Sequence, residues 1–280
     1  EIMKGIPQVA VFDTAFHQTM PDYAYMYALP YKYYLQHGIR RYGFHGTSHR
    51  YVSGRTTDFL MKKYPGKYNA DELKIVTCHL GNGSSISAIK GGKCFDTTMG
   101  LTPLEGIMMG TRSGSIDPAI IPVLCEKEGL TAKEVDTILN KKSGMLGLTA
   151  QYDEDFNEIP GTATSDNRTI EGRSKNGDER AQLVEKMLCH QLSKYIGGFA
   201  AAMGGVDAVV FTGGIGENNP HYRTDIAEKL GFLGTKIDEA SNSVRGQEIE
   251  ISTEDSALKL LVIPTDEELL IAQDTYELTK

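Results

Sequence analysis

One continuous run constrains this chain more than any other. From Asp178 to Met203 the apolar residues Val184, Leu188, Leu192, Ile196, Phe199 and Met203 recur every three or four positions, the spacing that places them on one face of an α-helix. Asp207–Thr212 follows as a β-rich run and empties into Gly213-Gly214-Ile215-Gly216-Glu217-Asn218, which reads as a glycine-rich turn. Asn219-Pro220 then opens another helix, with asparagine as N-cap and proline at the first helical position. A helix, a buried strand, a turn and a second helix require a sheet with helices packed on it.

The rest of the chain repeats this alternation. Lys74–Cys78 and Ser85–Ile89 read as strands joined through Leu80-Gly81-Asn82-Gly83, an Asn-Gly hairpin signal. Gly91-Gly92 turns the chain into Lys93–Thr97, and Val9–Phe12 and Leu260–Ile263 read as further strands. Thr47 or Ser48 is the expected N-cap of a helix running to about Lys63. Another helix is expected near Asp117-Pro118, and Thr131 with Glu134 forms a capping box. Thr265 with Glu268 reads as a second capping box, opening a C-terminal helix. The expected class is α/β with mixed sheets, burying one large core or two unequal ones.

Several residues could carry chemistry. A strand emptying into Gly213–Asn218 lets backbone N–H groups face an anion, although a tight βα turn has the same pattern. The hairpin His79–Ser84 is a second donor-rich turn, and two such turns at strand ends suggest a nucleotide cleft between them. No G-x-G-x-x-G or Walker motif occurs. Asp13 ends the first strand, where a carboxylate can hold a metal, accept a proton or cap a turn. Arg112, in Gly110-Thr111-Arg112-Ser113-Gly114, can bring its guanidinium onto a phosphoryl group or stay solvated. His45 and His49 are four apart without a third zinc ligand nearby, so hydrogen bonding to substrate or a structural role is the preferred reading. Asp266 and Glu267 are first-turn acids; one could reach magnesium, though dipole pairing is the simpler account.

Composition narrows the partners. A net charge of -8, from 37 acidic against 29 basic residues, argues against a nucleic-acid groove. Cys78, Cys94, Cys125 and Cys189 form no C-x-x-C pair and read as reduced thiols of a cytoplasmic protein. No stretch approaches a membrane span, no signal peptide is recognised, and Asn82-Gly83-Ser84 is read as a turn and not a glycosylation site.

Together these segments resemble the acetate kinase family, within the acetate and sugar kinase, Hsp70 and actin superfamily. The matching stretches are Val11–His17, Tyr42–His49, His79–Gly83, Thr98–Gly106 with Met109–Gly114, Phe211–Asn218 and Pro264–Leu269. The resemblance implies a ribonuclease H-like (actin-like ATPase) fold with a mixed β-sheet flanked by helices. It implies the reaction ATP + acetate ⇌ ADP + acetyl phosphate with Mg²⁺, in a homodimer. It casts Asp13 as the catalytic carboxylate, with His45 and Arg112 stabilising the transferring phosphoryl. His79, Leu80, Gly81, Asn82 and Gly83, and Gly214, Ile215, Gly216, Glu217 and Asn218, become the phosphate and nucleotide loops. Glu267 becomes a magnesium ligand, and Phe44 and Pro103 become walls of a small pocket for the substrate's methyl group.

Two departures from the family pattern stand out. The chain begins at Glu1 rather than methionine, and the family's N-terminal domain, about its first third, is not in this sequence. Residues 1–15 therefore read as a remnant of that domain, 16–267 as the nucleotide-binding domain, and 268–280 as a helix expected to pack on the absent part. Asp166, Asn167 and Arg168 fit the family's nucleotide-contacting Asp-x-Arg motif, but only after an acidic insertion, Gln151–Thr164. Propionate or butyrate kinase activity and a non-catalytic nucleotide-binding module are the alternatives.

Overall fold

The computed structural model describes residues 4–280; residues 1–3, part of the expected remnant 1–15, lie outside them. Six strands form one mixed sheet: β1 Lys74–Leu80, β2 Ser84–Lys90, β3 Lys93–Thr97, β4 Ala208–Thr212, β5 Ile249–Glu250 and β6 Lys259–Val262, in the order β3-β2-β1-β4-β6-β5. The first three form an antiparallel meander, with β1 paired to β2 and β2 to β3. β1, β4 and β6 run parallel, and β5 closes the far edge antiparallel to β6.

Strand alternation divides the apolar residues between two faces. Val76, Cys78, Ile86, Ala88, Val209, Phe211, Leu260 and Val262 belong to the larger core. Ile75, Ile89, Ala208, Val210 and Leu261 belong to the smaller one. The long helix Glu179–Met203 covers the first face, capped by Asp178, whose carboxylate accepts from the Arg180 and Ala181 amides. All six periodic residues of this helix are buried, worth about 1.5–3 kcal/mol each for the larger side chains. The helix Gly46–Lys63 covers the second face, contributing Val52 and Leu60 to the core.

On that second face the apolar pattern fails towards one end. Thr77, His79, Ser85 and Ser87 share strand parity with Ile75 and Ile89, yet they are polar, and all but His79 are fully buried. They lie under the first turns of the helix Gly46–Lys63, where Ser48 and His49 are also fully buried. This polar inset positions the candidate site.

Four expectations are corrected. Val9–Phe12 is irregular and not a strand: its backbone joins none of the ladders of the six-stranded sheet, and a strand needs a neighbour for its N–H and C=O groups. Gly213–Asn218 is a short helix and not an open turn. Gly213, at φ +76°, swings the chain off β4 beside the Leu80 carbonyl, where a side-chain carbon would lie 2.7 Å from that oxygen. The Glu217 carboxylate accepts the Gly213 amide at 2.9 Å and the Asn218 side chain donates to the Gly214 carbonyl at 3.0 Å, closing the turn locally. The N-cap position of the 46–63 helix falls on His45, without a side-chain capping bond, and not on Thr47 or Ser48. The C-terminal helix Glu267–Thr279 is capped by Asp266, which accepts from Leu269 N at 2.9 Å, and the Thr265 hydroxyl instead accepts from Ser48 Oγ.

Other expectations hold. The Thr131–Glu134 capping box forms as read. The helix expected near Asp117-Pro118 begins at Ile120. Asn219 precedes a helix with proline at its first position, although the Asn219 side chain donates to Ile215 O instead of capping. All four cysteines are free.

Candidate functional site

His45 adopts φ 59°, a left-handed conformation costly for a residue with a side chain. Its surroundings hold it there. Its amide donates to Asp13 Oδ2 at 2.6 Å, and the next amide, Gly46 N, donates to the Asp13 carbonyl at 2.8 Å. Asp13 is thereby tied through backbone and carboxylate to the start of the 46–63 helix. The His45 ring is held by Ser85 Oγ, 2.8 Å from Nδ1, and by stacking on His79 with centroids 4.3 Å apart. His79 Nδ1 lies 2.8 Å from Ser48 Oγ, which donates to Thr265 Oγ1 at 2.9 Å.

Arg112 arrives from a different loop. Its Nη1 donates to the Pro103 carbonyl at 3.2 Å. A side-chain carbon placed on Gly83 would lie 3.4 Å from His45 Nε2 and 3.5 Å from Arg112 Nη1. The hairpin tip, the helix start and the arginine loop, distant in sequence, thus meet around one point. Phe44 is half-buried beside it, its carbonyl 3.0 Å from His17 Nε2. Burial is the main reason the His45 imidazole sits below its ordinary range; Asp13 opposes that shift and Arg112 reinforces it. Glu267, at the start of the C-terminal helix, has its carboxyl pushed up first by burial and then by the charge of Asp13. The Asp13 charge thus acts on Glu267, and carboxylate oxygens are hard donors of the kind that suit a divalent cation. Among the described residues no three His, Cys, Asp or Glu side chains form a ready-made metal cluster.

A cavity of about 430 Å³ lies beyond the hairpin tip. Gly81, Asn82, Asp166, Asn167, Arg168, Gly214, Ile215 and Asn218 line it, all anticipated from the sequence. Asp166 caps its helix and pairs with Arg168, Nη2 to Oδ2 at 2.9 Å, the arginine remaining open to solvent. The other anticipated residues lie elsewhere. Leu80 is a core side chain, Gly216 is buried, and Glu217 turns back to its own helix start. His79 and Gly83 belong with His45.

Four lining residues were missed: Ser165, Glu171, Asn219 and Arg245. Asn219 holds Asn167, whose amide donates to Asn219 Oδ1 at 2.8 Å. Arg245 sits in a loop near the C-terminus without any motif around it, and only the tertiary fold brings it to the cavity.

The acetokinase family model matches residues 1–273. The acetate kinase of Halothermothrix orenii is 56% identical over 280 residues, 100% of this chain and 66% of that protein. That of Thermoanaerobacter pseudethanolicus is 57% identical over the same shares of both chains. The crystal structure of Porphyromonas gingivalis acetate kinase superposes with a TM-score of 0.90 at 48% identity, covering 100% of this chain and 66% of that one. A propionate kinase from Francisella tularensis superposes with a TM-score of 0.86 at 42% identity, covering 99% and 66%. The chain spans 66% of the length of these curated relatives.

Proposed function

The chain belongs to the acetokinase family, and from that premise we propose that it carries the nucleotide and phosphoryl site of an acetate kinase. The reaction is reversible transfer of the ATP γ-phosphoryl to acetate, giving acetyl phosphate and ADP. The observation that carries this reading is the convergence of Gly83, His45 Nε2 and Arg112 Nη1. Two side-chain nitrogens, from the helix start and the arginine loop, facing one open point at a side-chain-free hairpin tip suit the oxygens of a phosphoryl group in transfer.

The acceptor is already a carboxylate at neutral pH. Its oxygen attacks phosphorus as the bond to ADP breaks, and no proton need be removed. Catalysis then rests on alignment and on charge facing the equatorial oxygens. Arg112, anchored through the Pro103 carbonyl, supplies the positive charge. His45 supplies a neutral donor, and Asp13 orients the start of the helix and the reacting groups. Glu267 would hold Mg²⁺, which when bound would offset phosphate charge, and Asp13 lies close enough for its charge to act on Glu267. Phe44 and Pro103 wall the methyl pocket. The cavity lined by Gly81, Asn82, Asp166, Asn167, Arg168, Gly214, Ile215 and Asn218 takes the nucleotide.

Propionate as acceptor is the second reading, favoured by the backbone likeness to a propionate kinase. A cytoplasmic homodimer accompanies the proposal; no helix among the described residues is long and apolar enough to cross a membrane. The domain division 1–15, 16–267 and 268–280 is proposed with it. The C-terminal helix leaves Leu269, Ile271, Tyr276 and Leu278 exposed, as a surface that packs on a further domain would.

The test is a hydroxamate assay for acetyl phosphate on the 280-residue chain with ATP, acetate and Mg²⁺, alongside calorimetric titration of ADP. Turnover supports the proposal. Binding without turnover leaves a nucleotide-binding module, and failure of both sinks the reading.

A further inference from the structure

The buried hydroxyls of Thr77 and Ser85 alternate with two imidazoles in a single hydrogen-bonded line. Thr77 Oγ1 lies 2.7 Å from His49 Nδ1, His49 Nε2 lies 2.7 Å from Ser85 Oγ, and Ser85 Oγ lies 2.8 Å from His45 Nδ1. Thr77, Ser85 and His49 are all fully buried. Each hydroxyl has one hydrogen to give, and each neutral imidazole has one N–H and one lone pair. If every one of these hydrogens is to find an acceptor within the line, fixing one of them fixes the rest.

The line has a preferred direction, set at its inner end. Among the described residues His49 is the one side-chain partner of the Thr77 hydroxyl. If His49 Nδ1 donated to Thr77, the Thr77 hydrogen would be left without an acceptor in the core. If Thr77 donates, only an oxygen lone pair goes unused, and buried donors are orphaned more rarely than acceptors. Thr77 O–H then donates to His49 Nδ1, His49 Nε2–H to Ser85 Oγ, and Ser85 O–H to His45 Nδ1. The last hydrogen sits on His45 Nε2, the atom facing Gly83 and Arg112.

We infer that Thr77 and Ser85 are positioning residues which, through His49, hold His45 as the neutral Nε2–H tautomer that donates into the cleft. An imidazolium at His45 would turn a second N–H onto Ser85 Oγ and leave the Ser85 hydrogen without an acceptor, so the same line opposes protonation. The inference rests on the reading of His45 as the phosphoryl-facing histidine. The tautomer itself can be measured without turnover.

The full chain labelled with ¹⁵N-histidine, examined through two-bond ¹H–¹⁵N correlations at neutral pH, separates the three states of each ring; His45→Gln assigns the His45 signals. The expected result is unprotonated Nδ1 and protonated Nε2 for both His45 and His49. An Nδ1–H tautomer or an imidazolium at His45 overturns the inference. Ser85→Ala is expected to mix the His45 tautomers and lower kcat about 10- to 100-fold, with KM for ATP within about twofold. Ser85→Thr, which keeps the hydroxyl, is expected to restore the Nε2–H form. Unchanged kcat in Ser85→Ala also overturns the inference, and if that variant does not fold, the unsubstituted spectrum decides alone. The stated tautomer in a chain without phosphoryl transfer sinks the kinase reading and leaves the positioning chain standing.

Discussion

His45 and His79 stack with ring centroids 4.3 Å apart and 26° between planes, at the junction of the helix start and the end of β1. Neither ring can take a proton without placing positive charge against its neighbour in a poorly hydrated space. Burial and the facing His45 lower His79 to about 3, burial and a smaller contribution from His45 lower His17 to about 4, and buried His49 lies well below its ordinary value.

Stability should therefore fall in mild acid. In the unfolded chain these imidazoles take protons near pH 6.5, whereas the folded chain resists until about 4 or below. Between those values the unfolded state binds more protons, so stability falls as pH falls; above 6.5 the contribution is fully present. The expected loss by pH 4.5 is on the order of a few kcal/mol, read from urea midpoints between pH 7.5 and 4.5. His17→Gln should flatten that dependence, and a midpoint that rises in acid would contradict the burial argument.

Arg112→Ala and Asp13→Asn should each lower kcat by about 100- to 1,000-fold while leaving the thermal midpoint nearly unchanged. Arg112 contributes a single donated bond to Pro103 and a contact with Met109 sulfur to the surrounding structure, so its removal acts on the reaction more than on the fold. Arg112→Lys should recover little, since an ammonium does not reproduce the planar fork. Near-normal turnover in either variant would remove that residue from the site.

Gly110→Ala tests the hairpin tip without removing a polar group. The added methyl would collide with Asn82 Oδ1, next to the bond between Gly110 N and the Asn82 carbonyl. Asn82 must shift, and it lines the nucleotide cavity. Affinity for ADP should fall about tenfold, a change of about 1.4 kcal/mol, in calorimetry on a folded protein. Unaltered affinity would place the nucleotide elsewhere.

The parts of the fold legible in sequence were those written in local spacing. The six apolar residues of the Glu179–Met203 helix, the Asn-Gly hairpin and the Thr131–Glu134 box depend on neighbours within a turn or two. Val9–Phe12 has the composition of a strand, but pairing is a property of the sheet and not of the segment. The polar inset was invisible for the same reason. Thr77, His79 and Ser85 look like interruptions of two strands until the β1–β2 register, pairing His79 with Ser85, puts them on one face under His49. Residues carried by motifs, such as Asn82 and Asp166, do line the cavity. Arg245 lines it too, but nothing adjacent to it in sequence signals where its loop returns.

Glu250 and Lys259 give a prediction about stability alone. Lys259 is wholly buried, its Nζ 3.3 Å from Glu250 Oε1 and donating to the Glu254 carbonyl at 2.9 Å. Glu250 also accepts from Lys63 at 2.7 Å and from the Tyr64 hydroxyl. Glu250→Leu would strand the Lys259 charge, and should cost about 3–5 kcal/mol in urea unfolding, far more than Lys63→Met at the half-exposed end of the cluster.

Pro103 separates acceptor choice from phosphoryl transfer. It supplies the carbonyl that holds Arg112, and its ring is the proposed pocket wall. Pro103→Ala removes the ring and keeps the carbonyl, so transfer should persist while the pocket widens. The space of one methylene is worth about 1–3 kcal/mol of discrimination. The ratio of kcat/KM for propionate over acetate should accordingly rise about tenfold, with kcat on acetate within a few-fold of the unsubstituted chain. A uniform fall on both acceptors would mean that the ring serves the Arg112 loop and not the methyl group. An unchanged ratio would move the pocket away from Pro103 and leave Phe44 as the wall to test.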